Sequence, residues 1–207
     1  MSKRSRRTRA KWRDKQWVKI ETPKSFDNAI VAQTPITDSK QSIGRVLETT
    51  LFDVMKQDPK QYVTKLRFKI IEIKDNTAKT VLQGQEYSRE YLRSLISRGS
   101  SMINFVDDFT TNDGAIVRVY VVAFSQSRLN SSRKHGIRLK AREVLNEKTS
   151  SLTYEDFAHE AVLGNIASDI HNEAKKVSNL RHVGTVSYTH LRAHETLRYL
   201  VCRLLLE

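Results

Sequence analysis

A stretch of basic side chains without any acid lies between residues 128 and 142. It also contains short amides, hydroxyls and one imidazole. Guanidinium and ammonium groups neutralise phosphates, while amides and hydroxyls bond phosphate and ribose oxygens. The pattern therefore predicts an RNA-binding surface, and the alternative is a solvated basic helix face. The predicted contact residues of this stretch are Arg128, Asn130, Arg133, Lys134, His135, Arg138, Lys140 and Arg142.

A second basic cluster lies at the N-terminus, where nine Lys and Arg residues among residues 1–19 accompany a single acid, Asp14. Residues 1–10 hold almost no apolar side chain, so burial cannot offset the entropy of ordering them. We therefore expect residues 1–13 to be a basic arm that is disordered when free. Trp12 could stack on an unpaired base, whereas Trp17 is predicted to start the first strand as a core residue. The predicted contacts are Lys3, Arg4, Arg6, Arg7, Arg9, Lys11, Trp12 and Arg13.

The formal net charge is +13, and together with the two clusters it favours a polyanionic partner over a merely solvated surface. The longest apolar run, residues 119–124, is too short to span a bilayer. The basic N-terminus lacks the apolar stretch of a secretion signal. We therefore expect a soluble cytoplasmic protein that binds RNA and no membrane.

Catalytic constellations are weak. Asp107 and Asp108 could bind Mg²⁺ as a nuclease does, but a strand edge explains them equally well, and Asp113 belongs to a turn. His159 and Glu160 lack the second histidine of a zinc-protease helix, and no glycine-rich phosphate loop occurs. We expect no enzymatic activity, no metal and no cofactor.

The order of patterns predicts an α+β fold, mostly an antiparallel sheet or barrel. Alternation over residues 62–74 predicts a strand, and Thr111-Asn112-Asp113-Gly114 predicts a hairpin between two further strands. One inserted helix is expected at about residues 88–98, where Ser88 can cap it and Gly99 can end it. A C-terminal helical layer is expected at about residues 131–177.

The last residues, 186–207, resemble one translated frame of a transposase sequencing adapter followed by its primer. The adapter restricts the codons at both junctions, and Thr185 and Tyr199 satisfy these restrictions. We therefore predict a non-native tail. This prediction removes the histidine pair His190 and His194 and the single cysteine, Cys202, as metal ligands. A natural part without cysteine fits a reducing compartment.

Several segments resemble the ribosomal protein family S1e, also called S3Ae, of the archaeal and eukaryotic small subunit. The resemblance covers about residues 11–184 and is most specific in the hairpin and the basic segment that follows it. It lies in Lys15-Gln16-Trp17-Val18, Gly44-Arg45-Val46, Leu51-Phe52-Asp53-Val54, Asp107 to Gly114, Arg118, and Ala123 to Lys134.

The resemblance implies a non-catalytic constituent of the small subunit that binds its ribosomal RNA near the 3′ end, beside neighbouring ribosomal proteins, and supports translation. A short N-terminus favours an archaeal member. Residues 14–184 are then one ribosomal protein domain. Two alternatives remain: a free-standing RNA-binding or regulatory protein that uses the same basic patches, and a metal-dependent RNA hydrolase built on Asp107 and Asp108.

Overall fold

Strands formed by alternating apolar and polar residues make up much of the computed structural model, which describes residues 15–37, 42–74 and 76–191. The chain divides into two compact units, one ending at Gln83 and the other beginning at Gly84. The boundary falls within one long strand, Thr77–Tyr87.

The first unit is a sheet with mixed pairing. Its strands are β1 (Gln16–Glu21), β2 (Ile30–Ile36), β3 (Val46–Thr50), β4 (Thr64–Lys74) and the first part of β5 (Thr77–Tyr87). Strand β1 runs antiparallel to β2 and parallel to β5, and β4 pairs with β3 and β5. A short helix α1 (Leu51–Met55) follows β3, and its N-terminus is closed by reciprocal hydrogen bonds between Thr50 and Asp53.

The core of the first unit forms where inward positions of its strands meet. Val18, Ile20, Ile36, Ile70 and Ala78 are buried together there. Because successive residues of a strand point to opposite faces, burial of Val18 and Ile20 places Trp17 on the outer face. Trp17 is 55% exposed. The prediction that Trp17 is a core residue is therefore wrong, although it does lie at the start of the first strand.

The second unit combines an antiparallel sheet with helices. Its elements are the end of β5, α2 (Arg89–Ser94), β6 (Met102–Thr110), β7 (Ile116–Ser125), α3 (Ser131–Ser151), α4 (Tyr154–Leu163), α5 (Asn165–Lys175) and β8 (Leu180–Leu191). Strand β7 lies between β6 and β8, and β8 also pairs with the end of β5. The order across this part of the sheet is therefore β5, β8, β7, β6.

Local signals in the sequence explain how the helices begin and end. The Thr153 hydroxyl accepts a hydrogen bond from the Asp156 N–H at the start of α4. Gly164, with a φ of 86°, separates α4 from α5 in a backbone conformation that favours glycine. The carboxylate of Asp113 in the β6–β7 hairpin accepts the Tyr154 N–H, so this turn residue also holds the beginning of α4.

Strand β8 runs through the junction where the adapter-like segment begins. Val186 and Tyr188 are buried, at 4% and 0% exposed. Tyr188 pairs with Val119 of β7 and with Gln85 of β5. Residues 186–191 therefore take part in the fold of the second unit, and residues 192–207 lie outside the described residues.

The α+β class is confirmed, with the mostly antiparallel sheet, the inserted helix and the C-terminal helical layer. The inserted helix covers Arg89–Ser94 and ends before Gly99, which adopts a φ of 79° in the loop that follows. Strand β8 was not predicted, because half of it, residues 186–191, lies in the segment assigned to the adapter. Among the described residues, no helix is both long and apolar enough to span a bilayer.

Candidate nucleic-acid interface

The loop that leads from β7 into α3 is fixed by two buried serines. The Ser101 hydroxyl accepts the Leu129 N–H at 3.0 Å, and the Ser125 hydroxyl accepts the Ser101 N–H at 2.9 Å. The Leu129 side chain is also buried, and this burial further holds the loop in place. Arg128 and Asn130, on either side of Leu129, are exposed. Sequence reasoning missed these positioning serines, whose only sign is their place at the ends of two strands.

Helix α3 is held against the second unit by one apolar stripe. Its buried residues recur every fourth position, at Ile137, Ala141, Leu145 and Thr149. Gly136 faces Val177, and a Cβ at this glycine would lie 3.6 Å from the valine methyl. This packing fixes the direction in which each basic side chain of α3 leaves the helix.

Two of the predicted RNA-binding arginines contact β6. The Arg142 guanidinium lies 2.5 Å from a carboxylate oxygen of Asp107 and 5.6 Å from the centre of the Phe105 ring. The Arg138 side chain donates a hydrogen bond of 3.0 Å to the Asn104 carbonyl. Both cations therefore fasten the helix to the strand.

Lys140 is engaged within the helix. Its ammonium group lies 2.5 Å from the Glu143 carboxylate, and this hydrogen bond raises the pKa of Lys140 above its ordinary value. The charge of Glu173 on α5 acts in the same direction. Basic residues of the stretch that contains no acid in the sequence therefore pair with acids in the fold. These acids are Glu143, in the next turn of α3, and Asp107 of β6.

The remaining predicted residues lie at the N-terminal end of α3. Arg128, Arg133 and Lys134 form no ion pair with any acid in the described part of the chain. Arg133 and His135 are exposed, and Lys134 is partly exposed. The first turn of α3 contains no acid, and the Asn130 side chain does not cap it. Helix N-termini attract anions, so this cluster can bind phosphate groups.

The basic arm lies outside the described residues. It contains the predicted contacts Lys3, Arg4, Arg6, Arg7, Arg9, Lys11, Trp12 and Arg13. The expectation that residues 1–13 order only against RNA remains a prediction.

The two carboxylates considered for Mg²⁺ point to opposite faces of β6. Asp107 contacts Arg142, whereas Asp108 forms two hydrogen bonds with Arg118 of β7, at 2.6 and 2.8 Å. These bonds hold the pKa of the Asp108 carboxyl below its ordinary value. Neighbours on opposite faces cannot converge on one ion. Within the described residues, no group of three or more His, Cys, Asp and Glu side chains is arranged to hold a metal ion.

Comparison of the sequence with known proteins identifies its family. The model of the Ribosomal S3Ae family matches residues 3–192. The chain belongs to this family. The match ends within the segment that resembles the adapter.

Curated relatives cover most of the chain. A protein of Saccharolobus solfataricus is 40% identical over 181 residues, which are 87% of this chain and 86% of the relative. A protein of Desulfurococcus amylolyticus is 39% identical over 173 residues, or 84% of this chain and 81% of the relative. Both are named small ribosomal subunit protein eS1, and both organisms are archaeal.

Two double variants of equal charge test which cations contact RNA. We expect Arg133→Gln with Lys134→Gln to reduce the slope of log affinity against log salt by about 1.5 units, at roughly 0.7–0.9 per phosphate. We expect Lys140→Gln with Arg142→Gln to change it by less than about 0.5 units, because both cations already have carboxylate partners. Filter binding to a structured RNA between low and moderate salt measures both slopes. Equal slope changes would contradict the assignment.

The serine pair that fixes the loop can be tested without changing charge. Ser101→Ala leaves the buried Leu129 N–H without its acceptor, so we expect the free energy of unfolding to fall by about 1–3 kcal/mol. RNA affinity should fall while the salt slope stays constant, because the same cations are present but less well placed.

The matched control is Ser100→Ala, since the Ser100 hydroxyl bonds, among the residues the structure describes, only to Ser97 in the same exposed loop. Its effect on unfolding should stay within about 0.5 kcal/mol. Equal losses of stability in urea unfolding of the two variants would show that Ser101 has no special role.

Proposed function

We propose that this protein is a structural constituent of the small ribosomal subunit and acts in translation by binding ribosomal RNA. The observation that carries the proposal is about 40% identity over 181 residues to proteins named small ribosomal subunit protein eS1. The net charge of +13 supports a partner of opposite charge. Its RNA and protein partners are then those of the small subunit, and its location is the ribosome.

The proposed contact to RNA is made by the N-terminal end of α3 and the loop before it. Arg128, Arg133 and Lys134 supply positive charge without a described acid partner, and Asn130 and His135 supply hydrogen-bonding groups. These side chains suit phosphate and ribose, so they position the RNA without selecting its bases. We propose that Arg138 and Arg142 serve mainly to hold α3 in place, and that Lys140 serves mainly as the partner of Glu143 within the helix.

The proposed role involves no catalysis. The Asp107 and Asp108 carboxylates are used by two arginines on opposite faces of β6, which supports a structural role for both. The basic arm, residues 1–13, and a location near the 3′ end of the RNA follow from the sequence and from the family resemblance. We propose both as parts of the same assembly.

We propose that residues 186–207 are adapter-encoded and stand where the natural protein continues β8. Strand β8 accepts residues 186–191 because backbone pairing with β5 and β7 requires no particular side chain. The fully buried Tyr188 hydroxyl has no hydrogen-bond partner among the described residues, as expected of a side chain not selected for this core.

The source genome tests the origin of the tail directly. Sequencing across the Gly184 codon should reveal a reading frame that departs from Val186–Glu207 and has no adapter. Genomic DNA that encodes these residues would overturn the adapter assignment and would return His190, His194 and Cys202 to consideration as a site.

Co-sedimentation tests the ribosomal role. The protein should be present at one copy per small subunit and should stay bound after a high-salt wash, because many contacts to folded RNA act together. Hydroxyl-radical footprinting of the subunit, with and without the protein, should reveal protection near the 3′ end of its RNA.

Two other outcomes separate the alternatives. Substoichiometric protein that washes off in salt would favour a free-standing regulator. Mg²⁺-dependent cleavage of RNA by the purified protein, lost in Asp107→Asn, would favour the hydrolase.

A further inference from the structure

The exposed indole of Trp17 on the outer face of β1 is not used by the proposed contacts of α3. A tryptophan that is 55% exposed leaves a large apolar ring in water, although Val18 beside it is 2% exposed. Within the described residues, the Trp17 ring has no aromatic partner and no cation over its face. Packing within the fold therefore does not explain why a tryptophan occupies position 17.

Strand pairing brings two cationic residues close to Trp17 in the sheet. Trp17 pairs across the sheet with Pro35 of β2, and the Arg45 side chain reaches the Pro35 carbonyl at 3.5 Å. Lys19 lies two residues farther along β1 on the same face, opposite Gln33. The Arg45 guanidinium therefore lies near Pro35, the residue that pairs with Trp17. The Lys19 ammonium belongs to the next residue of β1 on the same face as the indole.

The positive charge continues across the neighbouring strands of the first unit. Lys79 of β5 is exposed and lies opposite Glu21 of β1. In β4, burial of Leu66, Phe68 and Ile70 leaves the alternate positions facing outward, where three basic residues are followed by the half-exposed Ile71. The basic residues are Lys65, Arg67 and Lys69. Few acids lie opposite these basic residues of β4. One such acid, Glu48, forms an ion pair with Arg67.

We infer that Trp17 is a stacking platform for an unpaired base of RNA, with Lys19, Arg45 and Lys79 bound to the phosphates beside it. Every base has a flat face that can stack on an indole, and flanking cations follow the backbone, so the site selects single-stranded RNA with little sequence preference. A protein-docking patch would instead be depleted of charge at its centre. The inference rests on the proposed RNA-binding function and adds a second site to it.

Fluorescence of Trp17 tests the inference in the full chain. Trp12 is the other tryptophan, so Trp12→Phe is introduced throughout and leaves Trp17 as the reporter. The probe is a twelve-nucleotide oligoadenylate, and filter binding measures the affinity of every variant, including those that lack tryptophan. Stacking should quench the emission, and Trp17→Leu should weaken binding of the probe about tenfold. Trp17→Phe should retain most of the affinity. Tyr62→Leu, at an equally exposed aromatic residue of the same unit, should retain all of it.

Each other outcome has a defined meaning. Unquenched emission on binding, or equal affinity of the Trp17→Leu protein, overturns the inference even if that variant is less stable. The proposed function survives this result if a structured RNA still binds through Arg133 and Lys134. If the emission changes only with RNA-free ribosomal proteins, the face binds protein and the inference is wrong. If neither RNA binds, the proposed function fails as well.

Discussion

The contact of Arg142 with β6 is the constraint on which the candidate interface depends. Its guanidinium lies against the Asp107 carboxylate and near the Phe105 ring, so electrostatic attraction and apolar packing act at one point. Together with the bond from Arg138 to Asn104, this contact fixes α3 along the strand. Arg133 and Lys134, at the N-terminal end of the helix, form no ion pair with any acid that the structure describes.

This arrangement fits a protein that positions folded RNA. In the proposed function, phosphate contacts from the end of α3 and the serine-fixed loop before it set the orientation of the RNA without reading its sequence. The outer face of the first unit adds an exposed indole among cations, which suits unpaired bases. The two kinds of site complement each other, because ribosomal RNA presents both helical backbone and single-stranded loops to its proteins.

The sequence predicted those features that depend on local patterns. The hairpin at residues 111–114, the position of α2 after Ser88 and the helical layer follow from turn residues, caps and periodicity. The β6 partners of Arg138 and Arg142 could not be predicted, because Asn104 and Asp107 meet α3 only after folding. The pair of Lys140 and Glu143 has i,i+3 spacing within the predicted helix, so it was open to prediction but was overlooked. The burial of Trp17 was predicted wrongly, because the alternation in Trp17-Val18-Lys19-Ile20 allows either face of the strand to be buried. In the structure the buried face carries Val18 and Ile20. Strand β8 was not predicted, because the resemblance to an adapter excluded residues 186–207 from the predicted fold.

The most direct test of this division of the basic segment compares two lysines in one experiment. Reductive methylation of the protein, free and bound to small-subunit RNA, followed by mass spectrometry, reports the protection of Lys134 and Lys140 separately. The ratio between the two states cancels the slower reaction of Lys140, whose pKa is raised by Glu143. The account predicts that RNA strongly protects Lys134 and leaves Lys140 nearly unchanged. Protection of Lys140 with Lys134 still reactive would contradict it.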